Sequence, residues 1–232
     1  MTRRALVVQN APLEGLGLFA APLAEAGVEA RVVQAWAGEA VPATPEGFEG
    51  VIVLGGAPSV YDITTGPWMA RVMDLLRASH GRVPILGVCL GAQLVAHALG
   101  GRAMPGGAGP EVGFHDLRWA PEAARDSVVG GLPPRAMHLH HDTYAPPPGA
   151  TRLASSRLYA EQAFRLGPAT YALQFHLDFE PAALERILEG ERKDLEAAGV
   201  QVEEILREAR EREAETARAA RRVVEGWTRL RA

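Results

Sequence analysis

Apolar residues come in short unbroken runs through the first hundred positions, and between the runs they recur every three to four places. Residues 4–9, with Ala5-Leu6-Val7-Val8, predict a buried strand, and residues 15–26 predict a helix ending at Gly27. Residues 29–33 and 51–54 predict two more strands, the second stopped by Gly55-Gly56. Trp68, Val72, Leu75 and Leu76 share one face of a helix over 68–78. A fourth strand, 84–88, leads into a helix over 92–99 closed by Gly100-Gly101. Unbroken apolar strands separated by helices imply βαβ units and a parallel sheet covered on both faces.

From about residue 102 to 175 the texture changes. Gly and Pro cluster at 105–110 and 146–149, and shorter strands are expected at 136–140, 153–155 and 170–175. These suit antiparallel strands at the second edge of the same domain. Pro181 then opens a helix with Ala183, Leu184, Ile187, Leu188 and Leu195 on one side, ended by Gly199. A second helix is expected over 201–230. Its stripe is Val202, Ile205, Leu206, Ala209, Ala220, Val223, Val224, Trp227 and Leu230, interrupted by Glu213 and Thr216. Glu203–Arg207 and Glu208–Arg212 are spaced as i,i+4 ion pairs along it. The fold expected is three-layer α/β: a mostly parallel open sheet with helices on both faces, antiparallel strands at one edge and a C-terminal helical extension. The division is 1–180 for the α/β domain and 181–232 for the extension, whose stripe either packs on its own domain or joins two copies in a homodimer.

Composition narrows the classes. The chain has 232 residues and a net charge of −4, which argues against a general nucleic-acid binder. No run reaches the roughly 18 apolar residues of a membrane span, and the apolar run after Arg3-Arg4 is too short for a signal-peptide core, so a cytoplasmic protein is expected. Lys193 is the only lysine among 24 basic residues and Asn10 the only asparagine, a bias that both a heat-adapted source and a GC-rich genome produce. There is one cysteine, Cys89, so neither an intrachain disulfide nor a multi-Cys zinc site can form.

Cys89 sits in Gly87-Val88-Cys89-Leu90-Gly91, between a strand and a helix. With Ser in place of Cys this is the nucleophile elbow, a sharp turn that presents one side chain above the sheet and demands small residues two before and two after it. The helix beginning beyond Cys89 places its positive end by the sulfur, which favours thiolate, and the N–H of Leu90 is left free as an oxyanion donor. A thiol nucleophile needs a base. His80, His97 and His115 sit in ordinary surroundings, whereas His176 ends the run Tyr171-Ala172-Leu173-Gln174-Phe175 at the C-terminal, active edge of the sheet. Asp178 two residues on can bond its other ring nitrogen and fix the tautomer, with Glu180 as the rival carboxylate.

Three blocks, Val53-Leu54-Gly55-Gly56, Gly87 to Gln93 and Gln174-Phe175-His176-Leu177-Asp178, resemble the class I (triad) glutamine amidotransferases, especially free-standing members similar to the amidotransferase domain of GMP synthase. The likeness covers about residues 5–180, and His140-His141-Asp142-Thr143-Tyr144 and Glu111-Val112-Gly113 also look like family stretches. The resemblance implies a flavodoxin-like domain in which Cys89 attacks the glutamine side-chain amide, His176 protonates the leaving ammonia, and water hydrolyses the γ-glutamyl thioester. It implies an oxyanion site at the N–H groups of Leu90 and Gly56, and a substrate pocket lined by Gly55, Gln93 and the loop around Tyr144. The chain departs from the family at Asp178, where Glu is usual, and at Ala57, where Gly-Gly is usually followed by Pro.

The implied substrate is L-glutamine or a γ-glutamyl compound, with no cofactor and no metal. No phosphate-binding Gly-x-x-x-x-Gly-Lys-[Ser/Thr] loop is present, so the ammonia goes to a separate partner synthetase or to solution. The rival readings are a γ-glutamyl peptidase acting on a small conjugate, a non-catalytic binding protein of the same family type, and a metallohydrolase using His138, His140, His141 and Asp142, for which a second distant ligand set is missing.

Overall fold

Alternation along the first strand sets the layers. In β1 (Arg3–Gln9), Ala5 and Val7 belong to the core on one side of the sheet, and Leu6 and Val8 to the core on the other. The computed structural model describes residues 2–62 and 64–232. In chain order β1 is followed by α1 (Ala20–Glu25), β2 (Val28–Gln34), β3 (Gly50–Val53), α2 (Met69–Ser79), β4 (Ile85–Val88) and α3 (Leu90–Ala98). Then come β5 (Arg102–Pro105), β6 (Glu111–Asp116), β7 (Arg118–Trp119), β8 (Arg135–His140), β9 (Asp142–Ala145), β10 (Thr151–Ser155), β11 (Ala163–Leu166) and β12 (Thr170–Leu173). Two helices, α4 (Pro181–Ala197) and α5 (Val202–Trp227), end the chain.

The main sheet has eight strands in the order β2-β1-β3-β4-β12-β11-β10-β7. The first five run parallel and the last three are antiparallel to their neighbours. This is the expected mostly parallel three-layer architecture with an antiparallel edge. Leu75, Leu76, Leu94 and Val95 of α2 and α3 cover one face, and Leu23 of α1 with Val223, Val224 and Trp227 of α5 covers the other. No helix among the described residues is long and apolar enough to cross a membrane.

Four local expectations are corrected. The strand at 170–175 is not an antiparallel edge: β12 pairs parallel with β4 in the middle of the sheet, all four residues buried. The strand at 136–140 leaves the main sheet and pairs with β6 in a separate ribbon. The helix over 15–26 shrinks to a 3₁₀ turn, Gly17–Phe19, and the six residues of α1, because Gly17 takes φ +43°, outside the helical region. Of the two ion pairs expected on α5, Glu208–Arg212 forms, but Glu203 reaches Arg192 on α4 and Arg207 turns to Glu211. Val202, Ile205, Leu206 and Ala209 of α5 are buried against α4, Phe114 and Met137, so this stripe is covered within the chain.

The turn at Cys89 is held by close backbone approach. A Cβ on Gly91 would overlap the carbonyl oxygen of Val53, and one on Gly87 would lie 2.5 Å from the carbonyl oxygen of Gly91. Both obstacles are backbone and cannot rotate away. Gly91→Ala is therefore expected to push α3 off β3 and cost about 2–3 kcal/mol in a urea unfolding titration. An unchanged midpoint would show that the approach is looser than this.

Candidate active site

At the C-terminal end of β4 the chain turns through Cys89 at φ 51°, ψ −111°, the single non-glycine residue with positive φ among those described. Such a conformation costs on the order of 1–3 kcal/mol and persists only where the surroundings impose it. Here the Cys89 N–H is tied to the Leu173 carbonyl on β12 at 2.8 Å, and its own carbonyl accepts from the Gln93 N–H at 3.1 Å. Leu90 opens α3, so its N–H has no acceptor one turn back in the helix. The sulfur faces the carbonyl oxygen of Leu139 at 3.6 Å.

His176 lies three residues beyond the end of β12, not on the strand, and is held by its N–H to the Met137 carbonyl at 2.8 Å. Its Nδ1 is 2.9 Å from Asp178 Oδ1, and its ring stacks on Phe179 at 3.9 Å between centroids. His176 and Asp178 are both buried, whereas Glu180 is exposed at the N-cap position of α4, its side chain making no capping bond. Of the two candidate carboxylates, the fold brings Asp178 to His176. Burial alone would push the imidazole pKa down, but the negative charges of Asp178 and Cys89 outweigh it and hold it well above the ordinary value. The Asp178 segment is pinned in turn by the Leu18 N–H on its carbonyl at 2.9 Å, beside Gly17, where a Cβ would overlap that same oxygen.

A cavity of about 160 Å³ opens over the sulfur. Its walls include Gly56, Leu90, Gln93, His141, Glu14 and Glu191. Gln93 is buried, with Nε2 3.2 Å from Gln174 Oε1 and 3.4 Å from the Asp142 carbonyl. Gly55 adjoins Glu14 and His176, where an added Cβ would come within 3.1 Å of the imidazole. The loop around Tyr144 contributes through His141 and Asp142; Tyr144 itself is turned into the core against Phe164 and does not reach the cavity, because its ring belongs to the apolar face under β5 and β9.

Other site residues carry no motif that marks them in the sequence. Asn10 donates to the Leu54 carbonyl at 2.8 Å and accepts from the Trp68 indole at 3.0 Å, fixing the backbone that leads into Gly55-Gly56. Its being the only asparagine was the only signal. Ile187 and Glu191 reach the cavity from α4. Ser59 and Tyr61 clasp the Asp142 carboxylate at 2.6 and 2.8 Å, bringing the loop after β3 over the pocket.

Glu14 is pushed up to about 7, chiefly by burial, with Asp178 and Glu191 adding to the rise and His176 opposing it. The folded chain thus holds this proton more tightly than the unfolded one. The Glu14 contribution to stability is expected to fall as pH rises from the ordinary carboxylate range to about 7 and to stay level above it, by at most about 3 kcal/mol. Glu14→Gln should remove that part of the slope and raise the unfolding midpoint at pH 8 but not at pH 4. Parallel wild-type and variant curves would contradict it.

The four residues that a metallohydrolase would use do not converge. His141 is exposed and Asp142 is held by Ser59 and Tyr61, while His138 and His140 meet Glu111 in a buried cluster.

Fold and site together describe a doubly wound α/β protein with a thiol on a strand–helix elbow beside a buried His–Asp pair. The chain belongs to the glutamine amidotransferase class-I family, which matches residues 18–191. It is 28% identical to the glutamine amidotransferase-like protein YfeJ of Salmonella typhimurium over 166 residues, 69% of each chain. It is 36% identical to a glutamine-hydrolyzing GMP synthase subunit of Haloarcula marismortui over 129 residues, 54% of this chain and 62% of that subunit's length. Among solved structures, a glutamine amido transferase from Methylobacillus flagellatus superposes with a TM-score of 0.87 at 26% identity, covering 98% of this chain and 95% of that one. A glutamine amidotransferase from Thermotoga maritima gives 0.88 at 24% identity over 99% of both, a likeness of fold.

Proposed function

We propose that the chain hydrolyses the side-chain amide of glutamine, or of a γ-glutamyl compound, through a thioester on Cys89. The observation that carries this is the strained Cys89 turn at the floor of a cavity, next to the buried His176–Asp178 pair. The sulfur attacks the amide carbon, and the oxyanion that forms is met by the N–H groups of Leu90 and Gly56. His176 gives its proton to the leaving ammonia, then takes one from the water that hydrolyses the thioester. Asp178 holds the ring and its positive charge. Gln93 and the carboxyl groups of Glu14 and Glu191 face the amino-acid end of the substrate, where an ammonium group is expected.

In this reading residues 1–180 carry the chemistry, and the helical extension 181–232 closes the pocket through Ile187 and Glu191. The likeness to a GMP synthase subunit supports an ammonia-accepting synthetase as a separate chain. The direct test is ammonia release from glutamine by the purified protein, alone and with cell extract containing ATP-dependent partners. Release of neither ammonia nor glutamate from glutamine or γ-glutamyl amides would overturn the proposal.

A further inference from the structure

In the pocket wall, where His140 lines the cavity, lies a polar cluster that the thiol chemistry does not use. His138 and His140 stand two apart on β8, and Glu111 pairs with His140 across the ribbon to β6, so all three project from one face. All three are buried, His138 completely. Glu111 Oε2 lies 3.4 Å from His138 Nδ1 and 3.3 Å from His140 Nε2, and the three ligand atoms fall within 4.8 Å of one another.

The hydrogen bonding of this cluster is unfinished. Both ring nitrogens of His138 lack a partner. His140 Nδ1 is 2.9 Å from the Asp142 carbonyl, which only accepts, so the ring proton sits there and Nε2 presents a lone pair toward the carboxylate. That lone pair faces the carboxylate oxygen with only the Gln162 amide beside it, at 3.4 Å, an arrangement that a cation between the two would satisfy. Ser156 and Gln162 donate to the two carboxylate oxygens, each at 2.6 Å, and no described Arg or Lys pairs with Glu111. A tetrahedral ion with bonds of about 2.0–2.1 Å separates its ligands by about 3.3 Å, which is the distance here from the carboxylate oxygen to each ring nitrogen. Two imidazoles and one carboxylate suit zinc better than magnesium or calcium.

We propose that Glu111, His138 and His140 form a structural divalent-cation site of the zinc type. The Asp142 carbonyl, Ser156 and Gln162 orient its ligands from outside. The ion ties β6 to β8, while Ser156 and Gln162 hold Glu111 from the neighbouring segment, and together they stiffen the wall that presents Leu139 and His141 to the pocket.

The test is metal content and its linkage to stability in the full chain, purified without added metal. About one zinc per chain is expected, lost in Glu111→Gln and in His138→Ala. Stripping with a chelator should lower Tm by about 5 °C, restored by zinc but not by magnesium. Cobalt loaded into stripped protein should show d–d bands without a thiolate charge-transfer band, which separates this site from Cys89. The strip-and-refill measurement uses the unaltered protein, so a variant that fails to fold does not decide the matter. Zinc below about a tenth of an equivalent with no Tm response to added zinc would overturn the proposal, as would a thiolate band or full zinc content in folded His138→Ala.

Discussion

Cys89→Ala is expected to lower glutaminase activity at least a thousandfold while leaving the protein folded. The methyl of alanine occupies the same backbone without the sulfur, and the remaining donors at Leu90 and Gly56 polarise the amide but supply no nucleophile. A diazo-ketone analogue of glutamine should add its mass to Cys89 in the unaltered chain and to nothing in the variant. Activity retained in Cys89→Ala, with no adduct on Cys89 in the unaltered chain, would remove the nucleophile. The same position makes a second, opposite forecast. Cys89 sits at φ 51°, ψ −111°, where a Cβ is strained and glycine is not. Cys89→Gly should therefore be equally inactive yet more stable than the parent by about 1 kcal/mol in urea titration. A destabilised Cys89→Gly would mean that the turn is imposed without stored strain.

The main sheet was legible because β1, β3 and β4 are apolar on both faces and are followed by helices, which only a covered parallel sheet explains. The elbow was legible because Gly87 and Gly91 are required at fixed offsets by backbone contact. The middle of the chain read less well. β12 carries the same short apolar pattern whether it lies at an edge or at the centre, and its parallel pairing with β4 is a long-range choice that no local signal encodes. The pocket wall read worst. Glu14 and Glu191 resemble any surface glutamate, and they reach the site only because the 3₁₀ turn docks on the Asp178 segment and α4 folds back over the sheet edge. Glu111 stands in a stretch that resembles the family, but its meeting with His138 depends on a ribbon that leaves the main sheet.

The choice between Asp178 and Glu180 gives the second large effect. Asp178→Ala is expected to lower turnover by about a thousandfold, and Glu180→Ala by less than about threefold. The reason lies in the geometry: Asp178 Oδ1 is 2.9 Å from His176 Nδ1, while Glu180 points to solvent at the start of α4. A shorter side chain than glutamate still reaches because Leu18 and Gly17 draw the Asp178 backbone inward. The effect also has a signature that a merely structural role would not produce. Asp178 is the largest of the influences that raise the His176 pKa, so neutralising it in Asp178→Asn should let burial prevail and bring the imidazole titration down. The proton needed by the leaving ammonia would then be lost at lower pH, and the residual activity of Asp178→Asn should decline earlier on the alkaline side than that of the unaltered chain. Histidine NMR titration of the two proteins measures the shift directly. An unmoved His176 titration, or a greater loss in Glu180→Ala than in Asp178→Ala, would assign the orienting role to another group.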